Sequence, residues 1–183
     1  MGAVLIGLLR RVFSRRHMLE AGLIIALVSA VQLYQSSGLP DGAAPPLEGV
    51  RNDGSQISLL KVGVGDTANQ PNQPTLVVFW ADWCPVCKAE EGNIESIAKD
   101  HRVLSVAMQS GDAAAVTKHL KERGLTQPAL VDSDGRHAAN WKVRGVPTHF
   151  IIDGAGNVRF RVVGYATTLG LRARLWWAAT FPA

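Results

Sequence analysis

Cys84 and Cys87 are the only two cysteines in the 183-residue chain, three apart in the run Trp80-Ala81-Asp82-Trp83-Cys84-Pro85-Val86-Cys87-Lys88. A bond between them closes a very small loop and adds little stability through chain entropy. A structural disulfide framework uses more cysteines, spread along the sequence. The pair therefore reads as chemistry: one sulfur attacks a partner disulfide and the other resolves the mixed disulfide. Three other uses of thiols fit less well. A zinc clip needs further Cys or His ligands nearby, and His17, His101, His119, His137 and His149 are scattered. A copper-binding or copper-delivery module would hold Cu(I) on both thiolates, but Met is sparse and no two His are paired. A peroxidase usually sets its reactive cysteine far from the resolving one.

The elements around the pair must explain its reactivity. Thr75-Leu76-Val77-Val78-Phe79-Trp80 is a continuous apolar run, suited to a strand buried on both faces. Residues 85–99 fit a helix, with Ile94, Ile97 and Ala98 sharing a face. Cys84 then stands at the mouth of that helix as the exposed nucleophile, where backbone N–H groups stabilise a thiolate. Pro85 suits the first helical position, because its missing N–H has no partner there. Cys87 lies about one turn deeper, as the resolving thiol.

The rest of the chain alternates in the same manner. Residues 103–108 predict a second apolar strand, 112–123 a second helix stopping at Gly124, and 129–131 a short strand. Strands at 148–153 and 158–163 flank a hairpin connection at 154–157, and 168–179 predict a closing helix. Asn52-Asp53-Gly54 predicts a hairpin turn, and residues 63–74 a loop. Strand–helix–strand first and hairpin plus helix last describe an α/β layered domain with a mixed sheet.

Composition supports one exported domain with an N-terminal extension. Apolar residues make up 47% of the chain and charged residues 19%, an ordinary globular balance. The net charge of +4 is concentrated at one end. Arg10, Arg11, Arg15 and Arg16, out of 19 basic residues, precede the apolar run at 18–34, which holds one of the 15 acidic residues, Glu20; the remainder is balanced to within one charge. No basic patch points to nucleic acid. The run at 18–34 reads as a transmembrane signal anchor at the short end of the usual length, with Glu20 at the interface or paired with Arg16. The basic tail, residues 1–17, is predicted to be cytoplasmic, which places the domain in the periplasm or its equivalent. A cleaved signal peptide ending near Val28-Ser29-Ala30, or a twin-arginine signal around Arg15-Arg16, exports the domain equally. Residues 35–46 read as a Ser/Gly/Pro/Ala-rich linker, and 47–183 as the folded domain.

These motifs together resemble the thioredoxin-like superfamily, in its exported, membrane-anchored TlpA-type and cytochrome-c-maturation branch, with a likeness to the suppressor-for-copper-sensitivity group. The resemblance runs from about residue 45 to the end. It rests on the Phe79 to Cys87 run, Gln109-Ser110-Gly111-Asp112, Gly145-Val146-Pro147-Thr148 and Gly164-Tyr165-Ala166-Thr167. It implies a thioredoxin-like fold and a protein disulfide oxidoreductase needing no metal, flavin or nicotinamide. It implies protein thiol or disulfide substrates and a membrane redox partner that recycles Cys84–Cys87. A cis bond between Val146 and Pro147 beside the cysteines is implied as well; from the residues alone, a simple turn fits Pro147 equally. Val146 and Pro147 would offer backbone to a substrate, beside a surface shaped by Trp83 and Pro85.

One departure stands out. Cytoplasmic thioredoxins carry a buried Asp in the strand before the cysteines, and Val78 occupies that position. The exported branch instead shares Glu90, three residues after Cys87, as an acceptor for its proton; the alternative is a solvated helix charge like Glu91. Lys88 either stabilises a nearby thiolate or, by default, is a surface lysine, and Trp80 is a core residue. His149 follows Pro147 closely and either faces the site or, by default, is a strand residue; Trp176-Trp177 read as packing or interface residues.

Overall fold

The computed structural model describes residues 15–59 and 73–181. They divide into a unit ending at Ser37 and a unit beginning at Gly38. The first unit is helix α1 (Arg15–Ser36). Its stretch His17–Ser36 is long and apolar enough to cross a membrane, a property that a signal sequence shares. At 1.5 Å per residue, twenty residues match the roughly 30 Å hydrocarbon layer. Glu20 meets the His17 ring at 3.2 Å.

The second unit is an α/β layered domain. Its strands are β1 (Gly42–Ala43), β2 (Glu48–Val50), β3 (Gln56–Ser58), β4 (Thr75–Trp80), β5 (Arg102–Met108), β6 (Ala129–Asp132), β7 (Thr148–Ile152) and β8 (Asn157–Val163). Its helices are α2 (Pro85–Ala98), α3 (Ala113–Glu122), α4 (Arg136–Asn140) and α5 (Thr168–Thr180). Six strands form one mixed sheet in the order β1-β8-β7-β4-β5-β6, and β2 pairs with β3 in a separate hairpin. β4, β5 and β6 run parallel, while β7 is antiparallel to both β4 and β8. The hairpin turn expected at Asn52-Asp53-Gly54 joins β2 to β3, with Gly54 at φ +83°, a conformation that favours glycine. The expected loop at 63–74 falls mostly outside the described residues.

Every residue of β4 is buried, which accounts for its unbroken apolar run. Val77 and Phe79 face one core with Leu104, Val106, Leu130, Phe150 and Ile152. Leu76 and Val78 face the other with Ile97, Val103, Ile151, Leu171 and Leu175. The first core closes around Trp141, wholly buried, whose ring lies 4.8 Å from Phe150 and 5.6 Å from Phe79. Trp141 caps α4, a five-residue helix that the sequence pattern does not predict. So short a helix shows no periodicity; it is held by the buried Asp132 carboxylate, which accepts the His137 and Ala138 N–H groups at 3.0 Å each. Trp176 and Trp177 of α5 stand exposed against Phe181, while Leu171, Leu175 and Ala178 supply the buried face.

The linker expectation for 35–46 needs correction. Leu39 is buried in the first core, and its carbonyl accepts from Arg161 at 3.2 Å. Gly42–Ala43 pairs with β8, and the Ala44 N–H donates to the Gly156 carbonyl at 2.9 Å. An exposed sheet edge carries unpaired backbone groups, and this segment covers the β8 edge. Its polar composition hid the one apolar anchor. Truncating that anchor tests the point: Leu39→Ala should lower the unfolding free energy of the α/β unit, measured in the full chain, by about 2 kcal/mol. A shift within a few tenths of a kcal/mol in urea titration would restore the linker reading.

Candidate active site

The site begins where β4 ends. Trp80 is buried, and its indole N–H donates to Ser105 Oγ at 2.7 Å. The chain then turns through Ala81, Asp82 and Trp83 into α2. The loop after β5 braces this turn: the Asp82 N–H donates to Ser110 Oγ at 3.1 Å, and the Trp83 indole N–H to the Gln109 carbonyl at 3.2 Å. Trp83 is 57% exposed. Pro85 and Val86 are also exposed, so an apolar apron surrounds the first cysteine.

Cys84 is the N-cap of α2, and Pro85 follows at its first turn. The Cys87 N–H donates to Cys84 Sγ at 3.1 Å. A donor and a helix N-terminus directed at one sulfur are the interactions that stabilise a thiolate there. The Cys84 thiol in turn lies 3.5 Å from the Val146 carbonyl. The bond between Val146 and Pro147 is cis, as the resemblance implies. Cys84 is not the exposed residue expected from its helix-mouth position: it is 4% exposed. As a cap its side chain folds back over the first turn, toward Val146.

Cys87 is buried one turn deeper. Burial pushes its thiol well above the ordinary cysteine value of 9.0; the hydrogen bond with Cys84 and the negative charges of Cys84 and Glu90 act in the same direction, against a lowering backbone contact at Ala81. The pair is thus asymmetric. The cap position gives Cys84 an N–H donor at the helix mouth, while burial keeps the proton on Cys87. Both sulfurs are free thiols.

Glu90 is 1% exposed, so it is no solvated helix charge. Glu91, expected to be one, is not solvated either: its carboxylate meets His119 at 2.8 Å and Arg123 at 2.7 Å. Glu90 instead lies beside the fully buried His149, with Nε2 2.7 Å from Oε1. The separation is that of an ion pair, yet the ring N–H does not aim at that oxygen, and no hydrogen bond satisfies either Glu90 oxygen. The contact is one of charge and proximity, not of a hydrogen bond. His149 is the cross-strand neighbour of Val78, at the position where the acid would otherwise stand. Of the two sequence readings of His149, a strand residue and a residue facing the site, both hold: it lies in β7 and meets Glu90. The signal was an ionisable side chain inside an otherwise apolar strand two residues after Pro147, since buried polar groups need partners.

Cys87, Glu90, Trp80, Ser105, Val78 and Pro147 border one cavity of about 40 Å³. Lys88 is exposed, as a default surface lysine would be. No group of three or more His, Cys, Asp or Glu side chains that could hold a metal ion occurs among the described residues.

Comparison with known proteins agrees with this geometry. Residues 40–161 match the AhpC/TSA family. The chain is 32% identical over 111 residues to a thioredoxin-like protein of Haemophilus influenzae, covering 60% of this chain and 66% of that protein. It is 39% identical over 90 residues to a homolog of the thiol:disulfide interchange protein DsbE in Paracoccus denitrificans, covering 49% of this chain and 50% of that one. The match thus spans about half to two thirds of these curated relatives. A longer match, 27% identical over 165 residues, covers 84% of this chain and 85% of DsbE from Tatumella citrea. In fold, the chain is similar to the crystal structure of a thioredoxin-family thiol:disulfide interchange protein from Chlorobium tepidum, with a TM-score of 0.61 at 21% identity, covering 78% of this chain and 99% of that one. The chain belongs to the AhpC/TSA family and has its thioredoxin-like fold.

Proposed function

We propose that this protein is a thiol–disulfide oxidoreductase that exchanges disulfides with protein substrates through Cys84 and Cys87. The observation that carries the reading is the asymmetry of the pair: Cys84 caps α2 beside the cis Val146–Pro147 bond, while Cys87 is buried and protonated next to Glu90. In the reducing direction, the Cys84 thiolate attacks a substrate disulfide and expels one substrate sulfur. Cys87 gives up its proton, attacks Cys84 Sγ and expels the second. The oxidising direction retraces these steps. Trp83, Pro85, Val146 and Pro147 surround Cys84 as the surface a substrate backbone would meet, and Glu90 receives the Cys87 proton. The names of the relatives, thiol:disulfide interchange proteins, support this assignment.

The proposed setting is outside the cytoplasm. α1 serves as a single-pass anchor in a bacterial inner membrane, the domain works in the periplasm, and a membrane redox partner recycles the pair. The apolar length of His17–Ser36 and the arginines preceding it support this orientation. Residues 1–17 are the cytoplasmic tail, and the linker between anchor and domain shortens to the residues around Ser37 and Gly38.

Two variants test the roles of the sulfurs. Cys84→Ser should reduce insulin disulfide reduction to the uncatalysed level. Cys87→Ser should accumulate a mixed disulfide on Cys84, visible by mass spectrometry. Peroxide consumption by wild type without disulfide exchange would discard the assignment in favour of a peroxidase.

The raised Cys87 value also predicts a pH dependence. The unfolded chain releases this proton above about pH 9, while the folded protein retains it. The contribution is therefore fully present below that pH and is lost as pH rises, at up to about 1.4 kcal/mol per pH unit. Reduced wild type should lose stability relative to Cys87→Ala between pH 9 and 10.5 in denaturant titrations. Parallel curves for the two proteins would show that Cys87 is not held protonated.

A further inference from the structure

The proposed exchange requires a base for Cys87, and Glu90 alone is an incomplete one. A carboxylate taken out of water without a countercharge becomes the neutral acid, and a neutral acid cannot accept a proton. Glu90 is buried on every side. The charged and titratable groups around it are few. Its own helix contributes Cys84, Cys87, Glu91 and Glu95; α3 contributes His119, with Arg123 just beyond its end. Both groups on the α3 side are committed to Glu91, at 2.8 and 2.7 Å. β4 and β5 present Val78, Trp80 and Ser105, none of them charged. From β7 comes His149, 2.7 Å away.

His149 also has a partner on its other ring nitrogen. Its Nδ1 lies 3.3 Å from the Val162 carbonyl oxygen. A carbonyl only accepts, so Nδ1 carries a hydrogen. In a neutral ring Nε2 would then be a bare lone pair, set 2.7 Å from a carboxylate oxygen that also carries lone pairs. Two lone pairs repel at that distance, whereas a protonated ring is attracted to the carboxylate even without an aligned N–H, and the pair is then neutral overall.

We propose that Glu90 and His149 act as one buried proton relay for Cys87, in which His149 is the positioning residue that keeps Glu90 in its ionised, accepting form. This rests on the thiol–disulfide exchange reading above. During resolution the Cys87 S–H proton passes to a Glu90 oxygen. The Cys87 sulfur supplies the electron pair of the new Cys84–Cys87 bond. The bond from Cys84 to the substrate sulfur breaks, and its electron pair leaves on that sulfur. The dithiol is oxidised and the substrate reduced by two electrons. Glu90 then returns its proton, directly or through the cavity it shares with Cys87, and the departing sulfur ends as a thiol. That cavity is wide enough to admit water. Positive charge on His149 persists throughout, so Glu90 is ionised again when the next mixed disulfide arrives.

The relay is tested on the full chain in detergent by two measurements. In reduced wild type, ¹⁵N NMR of the histidine rings should show His149 with both nitrogens protonated at pH 7, reverting to a neutral ring in Glu90→Gln. A neutral His149 in wild type at pH 7 overturns the proposal without need of any His149 variant. Single-turnover kinetics then separate the steps, using oxidised glutathione to load Cys84. In His149→Gln the resolution rate at pH 7 should fall at least tenfold and recover at higher pH, while the rate of the first attack by Cys84 changes less than twofold. A purely structural role would slow both steps together, and that result, or an unchanged pH profile of resolution, rejects the relay. If wild type fails to exchange with glutathione, insulin or any other disulfide, the exchange reading falls and the relay with it; normal exchange with unaltered resolution in His149→Gln removes only the relay.

Discussion

The end of β4 is the constraint on which the rest of the site depends. The strand is buried on both faces, so it cannot shift or slide without exposing one apolar set or the other. Within four residues of Trp80 the chain must leave the sheet and start α2. Cys84 is therefore delivered to the cap position, and Cys87 and Glu90 follow on the inward side of the helix. β7 is locked to β4 in antiparallel register, which sets His149 across from Val78 and puts the cis Val146–Pro147 bond at the same end of the sheet. Two segments more than fifty residues apart thus meet at one pair of sulfurs.

The two faces of the sheet carry different tasks. One face holds the large aromatic core of Phe79, Trp141 and Phe150, closed by β1, α4 and the β2–β3 hairpin. The other carries α2 and α5 and, beyond Trp80, the cysteines. The aromatic side has few charges, Asp132 being spent on the N–H groups of α4. On the reactive side three polar contacts are buried or half-buried: Trp80 with Ser105 by a hydrogen bond, Glu90 with His149 by charge, and Glu91 with His119 and Arg123. Buried ion pairs add little net stability, and removing one partner is costly.

Adjacent acids in one helix meet opposite fates for a geometric reason. Consecutive helix positions differ by about 100°, so Glu90 turns toward the sheet while Glu91 turns toward α3. Glu91 finds an arginine with access to solvent, and Glu90 finds a histidine without it. Only the second is electrically coupled to Cys87. The same reasoning separates the thiols. Cys84 receives an N–H at the helix mouth, and Cys87, three residues on, receives burial.

Local chemistry was legible in the sequence wherever neighbouring residues decide it. The unbroken apolar run of β4, Pro85 after Cys84 and Asn52-Asp53-Gly54 each encode strand, helix start and turn through sterics and hydrogen bonding within a few residues. The resemblance carried by the cysteine and Val-Pro-Thr motifs extended this to the fold and to the cis bond. The tertiary structure alone decided what depends on burial and long-range register. Leu39 joined the core because the β8 edge needed covering, and α4 formed because Asp132 reached its N–H groups. Cys84 was covered by its own cap geometry and Val146. His149 became the partner of Glu90 because the β4–β7 pairing and the pitch of α2 converge at one point, and no window of sequence contains both residues.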